Sequence, residues 1–225
     1  GAVSLNVIAQ TPPGAIPVGP LMAYPEIEVG YKRDSNIAIQ PDATRRADNI
    51  FSVKPSVRLE AKDGVNVYDI GYRGEYLRYD KQTTDNIENH DVTGNGNITF
   101  DARNNLKLRA QYSDRFDPRG TLNIIATPTP NQYHQSLLNG LYTYGAEDAQ
   151  GRIELAAGYY GKHYLNNRPD TSVLDHSRAE YGGTFLWRVQ PKTYATFNLR
   201  QYRYDYKDSA STLDSKDTFA LVGAR

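Results

Sequence analysis

The chain of 225 residues contains no cysteine, which excludes disulfide scaffolds and thiolate metal sites and is compatible with passage through an oxidising periplasm. Its 26 basic and 26 acidic residues balance, so it has neither the basic excess of a nucleic-acid binder nor an acidic tail. No run of about 18 apolar residues occurs, which excludes a transmembrane helix. Transmembrane β-strands remain open, because they need only about 9 to 11 alternating residues.

The N-terminal residues lack the basic segment and apolar core of a signal peptide, so we expect any such peptide to have been removed or to lie outside this sequence. Residues 1–21 include Pro12, Pro13, Pro17 and Pro20 and are predicted to form an irregular periplasmic lead-in. Residues 22–225 are predicted to form the folded domain.

An alternation of apolar and polar side chains recurs along that domain and is clearest in residues 152–189. There Ile153, Leu155 and Tyr159 alternate with Arg152 and Glu154. Successive side chains of a strand point to opposite faces of a sheet. The pattern therefore predicts a hairpin with one apolar and one polar face.

Short and long connections alternate between the strand-like runs. Tight turns are predicted near residues 63, 104, 149 and 191, and longer polar loops lie between them. This alternation, with about ten strands of roughly 10 to 13 residues, is typical of an antiparallel up-and-down transmembrane β-barrel. Propellers and repeat arrays share the spacing, but they would need a Trp-Asp or Gly-rich signature in each repeat.

The charged residues are predicted to face the inside of such a barrel, because a charge facing lipid costs about 2–4 kcal/mol at the bilayer midplane. The candidate lumen-lining residues are Arg58, Glu60, Arg73, Glu75, Lys107, Arg109, Arg152, Glu154, Arg178, Glu180 and Arg200. Such charges select substrates in many pores. The alternative is that they pair across neighbouring strands and stiffen the wall.

Tyrosine is abundant, at 18 residues, and suits a surface that is apolar on its body and wet at its tip. The predicted membrane-interface aromatics are Tyr68, Tyr72, Tyr76, Tyr112, Tyr159, Tyr181 and Trp187. The candidates for stacking on carbohydrate are Tyr160, Tyr164, Tyr202, Tyr204 and Tyr206. A purely structural role is the alternative for the second set. Tyr202, Tyr204 and Tyr206 fall on the opposite side of the alternation from Phe197 and Leu199. This predicts a bulge or a strand that protrudes past the apolar band.

Few motifs point to other chemistry. Asp117 and Arg119, in the longest loop, are an outer-loop candidate for gating or recognition, with a simple turn as the alternative. The four histidines lack the spacing of metal ligands, so neither a metal nor a cofactor is predicted. No Gly-x-Ser-x-Gly motif, Walker loop or catalytic triad spacing occurs, so an enzyme is not predicted.

Several segments carry a resemblance to a known family. They are PEIEVGYKRDSNI, FSVKPSVRLEAKDGVNVYDIGYRGEYLRYD, DPRG, GRIELAAGYYGKHYLNNR and RVQPKTYATFNLRQYRYDYKDS. Over residues 22–225 the chain resembles the EpsL-like outer-membrane proteins of the putative β-barrel porin 2 family, which accompany exopolysaccharide gene clusters. The resemblance implies passage of an extracellular polysaccharide across the outer membrane. Members of that family are usually longer, so the chain is expected to be a smaller relative or part of a larger barrel.

The sequence thus predicts an integral protein of the bacterial outer membrane that serves as a channel, or channel component, for polysaccharide export. The expected partners are the lipid bilayer, a polysaccharide or oligosaccharide, and periplasmic export machinery, with no nucleic acid. A non-conducting barrel with a structural or adhesive role, a general diffusion porin and a secreted soluble β-assembly are the alternatives.

Overall fold

The computed structural model describes residues 14–117, 127–168, 170–209 and 211–225. Within them the chain forms one sheet of eleven strands. The strands are β1 (Ile16–Val18), β2 (Leu21–Asp34), β3 (Asp48–Asp63), β4 (Asn66–Tyr79), β5 (Ile87–Thr99), β6 (Asn104–Phe116), β7 (Gln132–Tyr144), β8 (Gly151–Tyr164), β9 (His176–Gln190), β10 (Thr193–Tyr206) and β11 (Ser215–Ala224). Two short 3-10 helices, Thr83–Asp85 and Ser172–Leu174, lie in the connections. No helix in this part of the chain is long and apolar enough to cross a membrane.

Every strand pairs antiparallel with its neighbours in the sequence, in the order β1 to β11. The predicted all-β, up-and-down architecture is therefore confirmed. Across the described residues β1 and β11 are the two edges of the sheet, and no pairing joins them.

The lead-in differs from the prediction, because Ile16–Val18 forms a strand where an irregular segment is expected. This strand folds back on Leu21 to Ala23 through a turn at Gly19 and Pro20. Gly19 has φ +60°, a conformation that glycine adopts without steric cost and that tight hairpins need. Three residues are too few for the alternation that identifies the other strands.

The tight turns predicted from the sequence are confirmed. Gly64 of the turn between β3 and β4 has φ +58°. The turn between β5 and β6 is held by Asp101, whose Oδ1 accepts hydrogen bonds from the backbone N–H of Arg103 at 2.7 Å and of Asn104 at 2.9 Å. The remaining tight turns fall at residues 145–150 and 191–192.

The register separates the two faces of the sheet. We call the face that carries Leu155 the outer face and the face that carries Glu154 the inner face. Leu155 is 53% exposed, whereas the Glu154 side chain is 17% exposed, because side chains crowd together on the inner face of the curled sheet. Apolar residues of the outer face are exposed on every strand from β2 to β10.

The outer face of β3 carries no charge from Phe51 to Ala61. Its ten residue steps, at about 3.4 Å each and tilted by about 40°, cover about 26 Å along the barrel axis. That length matches the apolar band of about 25 Å on an outer-membrane barrel.

Pro55 lies in the middle of β3, although proline has no N–H to donate to the sheet. The paired registers of β3 and β4 skip from Val53 to Ser56, so the ladder is interrupted there. Gly74 stands opposite, where an added Cβ would lie 2.9 Å from the Tyr72 hydroxyl, 3.1 Å from the Tyr76 ring and 3.3 Å from the Pro55 ring. The glycine thus makes room for all three side chains.

The carboxyl-terminal half of β10 is continuous, so the predicted bulge near residue 200 is wrong. The irregularity in its pairing with β9 lies between Thr193 and Tyr194 instead. Tyr202, Tyr204 and Tyr206 pair with inner-face positions of β9 and so lie on the inner face. The outer face there carries Gln201, Arg203 and Asp205 in place of apolar residues. The strand therefore protrudes past the apolar band, which is the other predicted alternative.

The connection between β2 and β3 packs onto the sheet instead of standing free. Ile37 is 6% exposed and forms a small core with Ile50 and Tyr79, which pair with each other on the inner face at the loop end. Ala38 and Leu77 pack against this core. The loop therefore covers part of the inner face.

Asp48 connects the end of this loop to the loop between β4 and β5. Its carboxylate accepts hydrogen bonds from the backbone N–H of Asn49 at 2.7 Å, Lys81 at 3.0 Å and Gln82 at 2.7 Å. Burial alone would raise the pKa of Asp48, but these three donors and the charge of Lys81 lower it below its ordinary value. The carboxylate is therefore charged in the folded protein at neutral pH.

The outer face can be tested with Leu155→Arg, which should lower the free energy of unfolding in lipid vesicles by about 2–4 kcal/mol. The matched control is Ala156→Arg, one residue away on the inner face, beside Glu154. Urea unfolding in vesicles measures both. Equal losses in the two variants would contradict the assignment of the faces.

The Asp48 contacts can be tested with Asp48→Asn, which should destabilise the protein at pH 7 and have little effect at about pH 2. Because the folded pKa lies below the unfolded one, the contribution of the carboxylate is present above the unfolded value of about 3.9 and is lost as the pH falls through the folded value. Urea unfolding at the two pH values measures the difference. Asp42→Asn, in the same loop with a side chain 96% exposed, is the control. A deficit of equal size at both pH values would argue against this role.

Candidate functional site

A cleft of about 550 Å³ lies on the inner face. Asp69 of β4 and Glu180 of β9 both line it, so the strands from β4 to β9 curl around a shared space. The polar side chains that line it include Asn95, Lys107 and Arg109.

All the predicted lumen-lining charges lie on this inner face, as the paired registers show. They are Arg58, Glu60, Arg73, Glu75, Lys107, Arg109, Arg152, Glu154, Arg178, Glu180 and Arg200. That the face lines an open lumen stays a prediction.

Part of this set forms ion pairs. Lys54 bridges Glu28 of β2 at 3.2 Å and Glu75 of β4 at 3.6 Å, so three strands are joined across the inner face. Arg200 lies 3.7 Å from Glu180 on the neighbouring strand. Such ladders stiffen the wall, as one of the two predicted roles requires.

Other cations of the predicted lumen-lining set form no ion pair with a described residue. Among the described residues, no carboxylate oxygen lies within 4.0 Å of the cationic nitrogens of Arg73, Lys107, Arg109 or Arg178. Lys107 and Arg109 line the cleft. The inner face therefore has positive groups that are available to a ligand in the cleft.

An ion pair with a buried carboxylate lies on the inner face near the loop end. Arg115 donates from Nε to Asp91 Oδ1 at 2.8 Å and from a terminal nitrogen to Oδ2 at 2.6 Å. This two-point geometry is the strongest form of the arginine–carboxylate contact. Neither residue is among the predicted lumen-lining set. Asp91 is nevertheless in phase with Thr93, so the alternation itself contains the signal that would have found it.

Asp117 does not project into the outer loop. Lys162 lies 3.6 Å from Asp117 Oδ1, and the Tyr164 hydroxyl donates to Oδ2 at 2.9 Å. The ammonium of Lys162 also stands 3.7 Å from the centre of the Tyr133 ring. The carboxylate of this outer-loop candidate is therefore occupied, and Arg119 lies outside the described residues.

The carbohydrate-stacking candidates divide into two groups. Tyr164 is 3% exposed, packed against Tyr133 and Lys162, so its ring cannot stack on a ligand in this structure. This corrects the prediction for Tyr164. The burial comes from neighbours that a single strand's alternation does not reveal. The remaining candidates are partly exposed on the inner face: Tyr160, Tyr202, Tyr204 and Tyr206.

The predicted membrane-interface aromatics all lie on the outer face and are Tyr68, Tyr72, Tyr76, Tyr112, Tyr159, Tyr181 and Trp187. Trp187, which is 48% exposed, stands near the tight turns, and Tyr181, 58% exposed, lies nearer the loops. Phe185 packs beside Trp187 with ring centres 6.1 Å apart. Their contact with the two membrane interfaces stays a prediction.

The histidine rings mainly contact aromatic and acidic side chains. His90 Nδ1 lies 2.8 Å from the Tyr72 hydroxyl, and His163 Nδ1 lies 2.8 Å from Asp175. In the ranges that the structure covers, no cluster of three or more His, Asp or Glu side chains could hold a metal ion.

Asp175 is a structural residue that sequence reasoning missed. It is 2% exposed, accepts a hydrogen bond from the backbone N–H of Tyr164 at 2.7 Å, and contacts Arg168 at 3.0 Å. Its backbone C=O accepts from the N–H of Lys207 at 2.9 Å. A lone aspartate in a polar loop carries no periodic signal that would single it out.

The comparisons with known proteins agree with this geometry. No curated protein and no solved structure matches the chain. One family model, described as putative beta-barrel porin 2, matches residues 11–225. The match covers nearly the whole chain, including every strand of the sheet. With an apolar band on its outer face and a charged inner face, the protein belongs to this β-barrel porin family and so to the barrel proteins of the outer membrane.

Proposed function

We propose that the protein is a channel, or part of a channel, through which an extracellular polysaccharide crosses the outer membrane. The observation that carries this proposal is the composition of the inner face. It combines cations that lack carboxylate partners in the described part of the chain, such as Lys107 and Arg109, with partly exposed tyrosine rings, such as Tyr160 and Tyr202.

A polysaccharide makes two demands on a channel wall. Its hydroxyl groups need hydrogen-bonding partners, and the apolar faces of its sugar rings favour aromatic surfaces. Asn95, Asn97 and Asn139 supply amide groups along the cleft. The tyrosines of β8 and β10 supply rings on the same face.

Family membership supports a passive barrel over a catalyst, since porins act by transport. The exopolysaccharide role and a docking surface for periplasmic export machinery belong to this proposal. The proposal also places the N-terminus and the tight turns in the periplasm. This orientation follows the usual arrangement of short periplasmic turns and longer outer loops.

A second candidate function is a non-conducting barrel with a structural or adhesive role at the cell surface. The packing of Ile37 against Ile50 and Tyr79 favours it, because it lays a long loop over part of the inner face. A general diffusion porin is the third candidate.

Conductance across a planar bilayer separates these functions. The full chain should conduct ions, and long oligosaccharides should block the current from one side. Gly158→Trp should reduce the current, because Gly158 lines the cleft and a side chain there would project into it. Gly183→Trp is the matched control, since Gly183 pairs with Leu155 on the outer face and should leave the current unchanged.

The outcomes are distinct. A folded barrel that does not conduct would favour the structural role. Conductance that long oligosaccharides fail to block, with equal passage of unrelated small solutes, would favour a general diffusion porin. Blocked conductance that responds to Gly158→Trp alone supports the proposal.

A further inference from the structure

Arg178 stands among tyrosine rings on the inner face of β8, β9 and β10. The sheet register places it directly opposite Tyr160 on one side and Tyr204 on the other. Its guanidinium carbon lies 5.7 Å from the centre of the Tyr160 ring, 5.7 Å from that of Tyr202 and 6.0 Å from that of Tyr204. We call these four residues the arginine–tyrosine cluster.

The guanidinium of Arg178 has no carboxylate partner among the described residues. Glu180, the next inner-face residue of β9, contacts Arg200 at 3.7 Å. A guanidinium presents several N–H donors in a planar fork that matches the two oxygens of a carboxylate. Arg178 thus keeps its capacity to bind an anion.

Arg58 provides an internal comparison. Its guanidinium also lies over a tyrosine ring, that of Tyr24, at 4.1 Å. Unlike Arg178, it donates to a carboxylate, that of Glu60, at 2.6 Å. Both arginines lie on the inner face beside a tyrosine ring. Only the charge of Arg58 is already neutralised by a carboxylate in the described residues.

The tyrosines around Arg178 form a partly exposed surface on the inner face. Tyr160 and Tyr204 are on strands two apart, which are separated by about 10 Å, with Arg178 on the strand between them. Each ring is partly exposed and combines an apolar face with a hydroxyl group. A pyranose ring lying over this surface would reach from one tyrosine to the other, with a carboxylate substituent directed at the guanidinium.

The cluster is continuous with the cleft. Gly158 and Glu180 are the inner-face neighbours of Tyr160 and Arg178 on their strands, and both line the cleft. Farther along the same cleft lie Lys107 and Arg109, which also lack a carboxylate partner among the described residues. The carboxylates of Asp69 and Glu180 also line the cleft, and a ligand that contacts both Arg178 and Lys107 must be a chain of several units.

We propose that the arginine–tyrosine cluster binds an acidic sugar of uronic-acid type, with its carboxylate on Arg178 and its ring among Tyr160, Tyr202 and Tyr204. This inference rests on the proposed function, since it names the chemical class of the polysaccharide. The transported polymer is accordingly an acidic one.

Calorimetric titration of the folded full chain in detergent tests the proposal. The probes are hexagalacturonate, the neutral maltohexaose and inorganic phosphate. Hexagalacturonate should bind at least about tenfold more tightly than maltohexaose, and Arg178→Gln should weaken its binding by about tenfold, as expected for a lost charge-assisted contact. Arg58→Gln removes the same charge from the same face and should change the affinity by less than about twofold.

Two further variants separate the ring from the charge. Tyr160→Leu should weaken hexagalacturonate binding by more than about threefold and leave phosphate binding unchanged, because it removes ring contact alone. Arg178→Lys keeps the charge without the planar fork and should give an intermediate loss. It replaces Arg178→Gln if that variant does not fold, as judged by circular dichroism and heat-modifiable electrophoretic mobility.

Three results would overturn the inference. They are equal binding of the acidic and neutral sugars, equal losses in Arg178→Gln and Arg58→Gln, and binding that phosphate reproduces and Tyr160→Leu does not affect. A channel that conducts and is blocked equally by both sugars would keep the proposed function and reject the acidic class. A chain that binds hexagalacturonate through Arg178 but does not conduct would keep the site and reject the channel.

Discussion

Backbone hydrogen bonding inside hydrocarbon is the constraint on which the rest of this structure depends. A strand in lipid has no water to satisfy its N–H and C=O groups, so each must bond to a neighbouring strand. Here the pairing runs without a change of order from β1 to β11. The interruption at Pro55 is confined to two positions and is accommodated by the bare backbone of Gly74 opposite it. As in every barrel, the edges must be paired before the wall is complete.

The separation of charge between the two faces follows from that constraint. Once lipid contacts one face, charged side chains are stable on the other, where water and partner charges are available. The inner face uses its charges in two ways. Lys54 joins three strands through Glu28 and Glu75, while Arg178 stands among rings without a carboxylate partner in the described residues. The inner face thus carries both charges that join neighbouring strands and a charge without a carboxylate partner in the described residues.

The strands and their faces could be predicted from the sequence because both follow from a period of two, which needs only local information. Residues such as Leu155 and Glu154 show their faces in the alternation itself. The tight turns could also be predicted, since a pair such as Asp63 and Gly64 favours the positive φ angles that tight hairpins need. The same alternation places Asp91 on the inner face, in phase with Thr93.

Other features depend on contacts between segments far apart in the sequence, and they could not be predicted. Asp48 is identified as an anchor only when residues 81 and 82 are brought beside it. Tyr164 has the same sequence context as its exposed neighbours, but Tyr133 and Asp117 enclose it. The three-residue strand Ile16–Val18 is too short to show any period.

The long connections are bonded to one another, and this has a consequence for proteolysis. Asn166 Nδ2 donates to the carbonyl of Pro130 at 3.0 Å, and Asn167 Nδ2 donates to Asn131 Oδ1 at 2.8 Å, so the loop after β8 is fastened to the loop after β6. The carbonyl of Asp175 fastens it in turn to Lys207. A protease that cut one of these loops would leave both ends tethered to adjacent segments. The nicked molecule would therefore keep these segments in place, and sequence change in one loop is restricted by the loops beside it.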